Sequence, residues 1–133
     1  MILVDTSAWI EFLRNTGSST CNEVDRLLDS ELATSEPVRM EVLAGATSES
    51  HLRQLRGLLG RCSLVPVISQ DYDTAAAIYR GCRSQGATVR KMVDCLIAAI
   101  AMRRGMPLLH SDRDFDSIAR SFELAVHPPA KPN

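Results

Sequence analysis

Two rhythms of hydrophobic and polar positions run along this chain. Ile2-Leu3-Val4 and Met106-Pro107-Leu108-Leu109-His110 are short apolar runs with little or no polar face, the pattern of buried strands covered on both sides. Between them, apolar positions recur at helical spacing. Trp9, Ile10, Phe12 and Leu13 predict a first helix behind Thr6 and Ser7 as hydroxyl caps. After a polar loop over 15–20, Val24, Leu27 and Leu28 predict a helix over 22–29, and 31–34 a short strand. Ser35 is expected to cap a helix with Pro37 in its first turn, running through Val38, Met40, Val42 and Leu43 to a stop near Gly45. Leu52, Leu55, Leu58 and Leu59 make residues 48–59 an amphipathic helix, on which His51 reads as a solvated residue. Residues 63–67 are a short strand or extended connector, because Pro66 has no ladder donor. Ser69 is expected to cap the next helix, with Asp71 and Asp73 as helix-dipole partners and a stop at Gly86. A helix over 88–104 ends at Gly105, another runs through Ile118 to Ser121, 123–126 is a last edge strand, and 127–133 reads as a frayed tail.

Four acids break this pattern. Asp5 ends the first strand, and Asp112 follows the late one in Ser111-Asp112-Arg113-Asp114-Phe115-Asp116. The carboxyl edge of an open α/β sheet is where ligands bind. Taken alone, Asp5 could equally be a helix cap without chemistry. Glu41 lies beside an apolar stripe formed by Met40, Val42 and Leu43, where a charge needs a partner or a metal. From Met92 to Met102 every residue except Asp94 is apolar, so a helix buried nearly all round carries a carboxylate inward. Its compensating charge is either Arg90 or Lys91, three or four residues earlier on the same helix, or a metal ion. Asp112, Asp114, Asp116 and Glu123 share the spacing of a calcium loop. However, Ser117 stands where the turn needs Gly, and Pro128-Pro129 prevents an exiting helix.

Length and composition narrow the classes. The 133 residues, 45% of them hydrophobic, fit a single domain with one core. A formal net charge of −1 gives no bulk signal for nucleic acid. Cys21, Cys62, Cys82 and Cys95 show no C-x-x-C spacing and read as core packing rather than a disulfide framework. Three scattered histidines give little support to zinc. No signal segment and no apolar run long enough for a bilayer are visible, so the chain is expected to be cytoplasmic, without a membrane partner.

Carboxylates converging from Asp5, Glu41, Asp94 and Asp112 would repel one another, and a divalent cation resolves this. All-oxygen ligation suits Mg²⁺ or Mn²⁺, which activate water for attack on a phosphodiester.

Strand-Asp5-Thr6-Ser7, Glu41 before Val42-Leu43-Ala44-Gly45, Asp94-Cys95-Leu96-Ile97-Ala98-Ala99, and Leu109-His110-Ser111-Asp112-Arg113-Asp114-Phe115 follow in order along the chain. Together they resemble the motifs of PIN-domain ribonucleases, specifically VapC-type toxins of bacterial toxin–antitoxin pairs. The resemblance implies an α/β, PIN-like fold: a central parallel β-sheet of about four or five strands flanked by helices on both faces. It implies Mg²⁺- or Mn²⁺-dependent endonucleolytic cleavage of RNA, a homodimer, and inhibition by a cognate VapB-type antitoxin. By the same resemblance, Asp5, Glu41, Asp94 and Asp112 are the catalytic acids. Asp5, Asp94, Asp112 and Asp114 hold metal, with Thr6 and Ser111 in support. Arg80, Arg83, Arg90, Lys91 and Arg113 are candidate contacts to the RNA backbone.

Rival readings are weaker. A D-x-D phosphatase needs an acid at position 7, where Ser7 stands, and a phospho-receiver needs adjacent acids after the first strand. A non-catalytic RNA- or protein-binding module of the same fold is the remaining alternative.

Overall fold

The computed structural model describes residues 1–129. It is an α/β structure whose elements follow in the order β1 (Ile2–Val4), α1 (Thr6–Leu13), α2 (Ser19–Leu27), β2 (Leu32–Ser35), α3 (Glu36–Ala44), α4 (Glu49–Leu59), β3 (Ser63–Val65), α5 (Ser69–Ser84), α6 (Met92–Arg104), β4 (Leu108–Leu109), α7 (Arg113–Ser121) and β5 (Val126–His127). All strand pairings are parallel, in the sheet order β3-β2-β1-β4-β5.

This order fixes where a ligand can bind. The chain moves outward from β1 through β2 to β3, then returns across the sheet to β4 and continues to β5. Right-handed crossovers therefore put α1–α4 on one face and α5–α7 on the other. In agreement, α1 packs on α2 and α3, whereas α5, α6 and α7 pack on one another. The direction reverses between β1 and β4. Helices leave that pair toward opposite faces, opening a crevice at its carboxyl end.

The apolar runs behave as their patterns predict. Leu3, Val4, Ala33, Leu108 and Leu109 are almost wholly buried, and Trp9 and Phe115 are the largest fully buried side chains. In α6 the sequence from Cys95 to Ala101 is buried at every position except Leu96, as expected of a helix without a polar face. The cysteines are free, and three of the four are buried. Among the described residues no helix is long and apolar enough to cross a membrane.

Local corrections have identifiable causes. Ser18 caps α2 through the Cys21 N–H, so this helix begins inside the expected polar loop. Ser35 occupies the N-cap position of α3 as expected, but its side chain makes no cap bond: it also ends β2, and its hydroxyl donates to the Val65 carbonyl at 2.7 Å. Ser69 does not cap α5, because the Asp71 carboxylate accepts from the Ile68 N–H just before the helix. Residues 88–91 are not helical, and α6 starts only at Met92. Thr88 and Val89 are β-branched and favour extended backbone, Val89 is buried, and the Arg90 N–H donates to Asp114 rather than to a helical carbonyl. The last strand lies at Val126–His127 rather than over 123–126. His127 therefore belongs to the sheet, paired with Leu109, and not to a tail. Residues 130–133 of the expected tail lie outside the described residues.

Candidate active site

The crevice between β1 and β4 is built by register. Leu3 pairs with Leu108 and Val4 with Leu109, so Asp5 leaves the sheet level with His110, and its N–H donates to the Leu109 carbonyl at 2.9 Å. Both strands then turn into helices in the same way. Asp5 caps α1, accepting from the Ser7 N–H at 2.9 Å, and Asp112 caps α7, accepting from the Asp114 N–H at 3.0 Å. The repeated strand–Asp–helix pattern is thus one local device used twice.

Capping does not exhaust Asp5. Its Oδ2 takes both the Ser7 N–H and the Ser7 hydroxyl, the latter at 2.6 Å. Its Oδ1 is buried and has no hydrogen-bond partner. Burial pushes the Asp5 carboxyl above its ordinary value; the Ser7 hydrogen bonds oppose this and the Glu41 charge reinforces it.

Across the crevice α6 presents Asp94, 2% exposed, with its Oδ2 also buried and unpartnered. One carboxylate oxygen from each of Asp94, Asp112 and Asp114 lies within 4.8 Å of the others. Burial first, then the negative charge of Asp5, drive the Asp94 pKa up to about 7, with Lys91 opposing and Asp112 and Asp114 adding. Neither Arg90 nor Lys91 pairs with Asp94 along a helix face. Arg90 instead reaches Asp112 and Asp114, and the Lys91 ammonium lies 3.8 Å from Glu41.

Glu41 projects from α3 and accepts the Thr6 hydroxyl at 2.8 Å, tying it to the residue after Asp5. The Ser111 hydroxyl donates to Glu11 at 3.3 Å, and its N–H donates to the Ser7 hydroxyl oxygen at 2.9 Å. Ser7 therefore joins the Asp5 carboxylate to the β4–α7 turn. In the sequence Ser7 reads only as a helix cap; a hydroxyl two residues after an Asp cap is the signal for its further bonds. His110 likewise reads in the sequence only as a strand residue. Its Nδ1 accepts from the Asp112 N–H at 3.1 Å, and its ring packs on Phe115 with centroids 5.1 Å apart.

The basic residues divide. Arg90 and Lys91 reach the acids, and Arg113 is exposed in the first turn of α7. Arg80 and Arg83 are exposed on α5, where Arg83 stacks over Tyr79 at 5.7 Å, and neither bonds to the acidic cluster among the described residues. Asp116, 62% exposed, is an acid in the first turn of α7.

Two buried oxygens without donors, set among clustered carboxylates, are costly unless a proton neutralises them or a cation completes them. The chemistry of the donors is all oxygen, which fits Mg²⁺ or Mn²⁺ rather than a thiol- or imidazole-bound metal. One prediction concerns the cluster itself. With chelator present, Asp94→Asn is expected to melt no lower than the parent, because it removes a desolvated, repelled charge. The folded pKa of Asp94 lies above its ordinary 3.8, so this residue's contribution to stability falls as pH rises from 3.8 toward about 7 and is constant beyond. Thermal melts of both proteins between pH 5 and pH 8 check this: the parent should lose more than the variant, and a variant that melts well below the parent would identify Asp94 as a structural ion-pair partner.

A doubly flanked parallel sheet with a carboxylate cluster at its switch point defines an acidic α/β site whose oxygens could hold a cation. Residues 2–121 match the PIN domain family, and the chain belongs to it. Among curated relatives, VapC ribonuclease Mb1587 of Mycobacterium bovis and ribonuclease VapC11 of Mycobacterium tuberculosis are each 48% identical over 128 residues, covering 93% of this chain and 96% of theirs. In fold, the chain is similar to VapBC-1 from nontypeable Haemophilus influenzae, with a TM-score of 0.75 and 23% identity over 96% of this chain and 97% of that one. It is also similar to Mycobacterium tuberculosis VapC20, a sarcin–ricin-loop-cleaving toxin, with a TM-score of 0.66 and 21% identity over 93% of this chain and 98% of that one.

Proposed function

We propose that this chain is the toxin of a toxin–antitoxin pair, a cytoplasmic endoribonuclease that hydrolyses RNA phosphodiester bonds with Mg²⁺ or Mn²⁺. The observation that carries this reading is the unpartnered Asp94 Oδ2, buried beside Asp112 and Asp114. The relatives named as ribonucleases share nearly half of this sequence along almost its whole length.

Asp94, Asp112 and Asp114 would hold the cation, with Asp5 at the side of Asp94. When bound, a divalent ion supplies an activated water and neutralises charge on the phosphate. The residues do the rest. Ser7 fixes the Asp5 carboxylate and leaves Oδ1 free, and Thr6 orients Glu41. Glu41, next to Asp5 and partly buried, is placed to accept the proton of an attacking water. Arg90, Lys91 and Arg113 are the cations at this edge available to RNA phosphates. A VapB-type antitoxin and a second copy of the chain are the proposed protein partners. Exposed Ile10 and Leu13, beside Val42 and Leu55, border an apolar cleft of about 260 Å³ that supports a protein contact.

Cleavage of total cellular RNA by the purified chain tests the proposal. Discrete fragments are expected with Mg²⁺ or Mn²⁺ and none with chelator. A folded, antitoxin-free protein that binds metal yet leaves RNA intact would favour the non-catalytic binding module instead.

A further inference from the structure

Arg90 makes more polar contacts to the acidic cluster than any other cation among the described residues. Its Nη2 donates to Asp112 Oδ1 at 2.7 Å, and its Nε donates to Asp114 Oδ1 and Oδ2 at 3.2 and 3.3 Å. Its own backbone N–H adds a bond to Asp114 Oδ2 at 3.2 Å. These oxygens belong to two of the three carboxylates that converge within 4.8 Å. A guanidinium that donates to them and a divalent ion ligated by them draw on the same lone pairs and the same negative charge.

The two ends of Arg90 differ in freedom. Its backbone is held by Asp114 beside the buried Val89, whereas its side chain is 57% exposed. The guanidinium can therefore leave the carboxylates without disturbing the core. It leaves the third carboxylate uncompensated, since Asp94 Oδ2 receives no donor. Lys91 makes a single, longer contact of 3.8 Å, and to Glu41.

We infer that Arg90 is an exchangeable counter-ion of the acidic cluster: it competes with the divalent cation for Asp112 and Asp114, and cation binding transfers its guanidinium to an RNA phosphate. This rests on the metal-dependent reading of the site given above. The fold thereby couples metal loading to substrate binding through one side chain. With metal present, Arg90 adds to RNA affinity; without it, Arg90 is occupied.

Two measurements on the intact chain test this, using Arg90→Gln and Arg90→Lys. The first is Mn²⁺ affinity, from the electron paramagnetic resonance of free Mn²⁺, with Asp112→Asn as reference. Arg90→Gln is expected to bind Mn²⁺ about 10-fold more tightly than the parent, because a charged competitor is gone. Arg90→Lys, which keeps charge but lacks the fork, should fall between them. The second is binding of a fluorescent single-stranded RNA against salt, in Ca²⁺ and in chelator, with RNA integrity verified on a gel. In Ca²⁺, Arg90→Gln should flatten the slope of log K against log salt by roughly 0.7, the share of one phosphate contact. In chelator the slopes should coincide. Equal or weaker Mn²⁺ binding by a folded Arg90→Gln would overturn the inference, leaving Arg90 as a residue that only positions its carboxylates. So would a slope difference that persists in chelator. Absence of Asp112-dependent Mn²⁺ binding in the parent would instead fell the metal reading of the site, and this inference with it.

Discussion

Asp5→Asn is expected to lower metal-dependent RNA cleavage by at least about 100-fold while leaving the melting temperature close to that of the parent. The expectation follows from the two unlike oxygens of this carboxylate. Oδ2 accepts the Ser7 N–H and hydroxyl and holds the first turn of α1. An asparagine carbonyl can take both bonds, and Asn caps helices as well as Asp does. The amide nitrogen then falls at Oδ1, the buried oxygen that has no donor. There a lone pair and part of a negative charge are replaced by two hydrogens in a buried position without an acceptor. Neither a cation nor the proton of a water is served by that group. Asp5→Ala is a poorer test, because it also removes the cap and costs about 1 kcal/mol of stability. Initial cleavage rates at saturating Mg²⁺, with thermal melts of the same preparations, check the prediction. Cleavage within a factor of two of the parent would remove Asp5 from the catalytic machinery.

The same residue shows what the sequence could and could not disclose. Ile2-Leu3-Val4 ending in Asp5, and Leu108-Leu109 leading to Asp112, were legible because a central parallel strand has no polar face, so a carboxylate at its end is conspicuous. Asp94 was legible for a similar reason, as the single charge in a wholly apolar helix. The partners of these acids were not. Arg90 at helical spacing from Asp94 is, with Lys91, one of the local candidates for its counter-charge, beside a metal ion. It instead crosses to Asp112 and Asp114, 22 and 24 residues later, because residues 88–91 leave the helix. Ser7 bonds to the Ser111 N–H across 104 residues, a contact created by the parallel register of β1 and β4. Ser35 offers a good cap by its type, yet β3 places the Val65 carbonyl within reach of its hydroxyl. Local propensity named the groups, and tertiary register chose among their partners.

The chain's other buried acid is expected to govern stability rather than chemistry. Arg103→Ala should lower the free energy of unfolding by ~2–4 kcal/mol at neutral pH, somewhat under the full effect of breaking a buried pair because the arginine side chain is 27% exposed. Asp71 is 1% exposed. Arg103 grips it with a two-pronged contact, Nε to Oδ1 at 2.8 Å and Nη2 to Oδ2 at 3.0 Å, and Nη2 also donates to the Pro66 carbonyl at 2.9 Å. The contact ties the start of α5 to the end of α6. Burial alone would push the Asp71 carboxyl up, but the Arg103 hydrogen bonds, the Ile68 N–H and the Arg103 charge outweigh it and leave the group below its ordinary 3.8. A depressed folded pKa means stability that is present above the unfolded value and lost as pH falls through the folded one, hence below pH 3.8. In Arg103→Ala burial acts without its opponent, so Asp71 takes up a proton at higher pH than in the parent. The stability difference should therefore be largest near neutrality and shrink on acidification, as seen in urea unfolding at a series of pH values. Asp71→Asn combined with Arg103→Ala should recover part of the loss, because an amide oxygen still accepts from Ile68 and no lone charge remains inside. A deficit that is independent of pH and unrelieved by the second substitution would trace the effect to lost packing of the arginine stem. Asp94 lies nine residues before Arg103 on the same helix, roughly 14 Å along its axis, so RNA cleavage at temperatures where Arg103→Ala stays folded should persist.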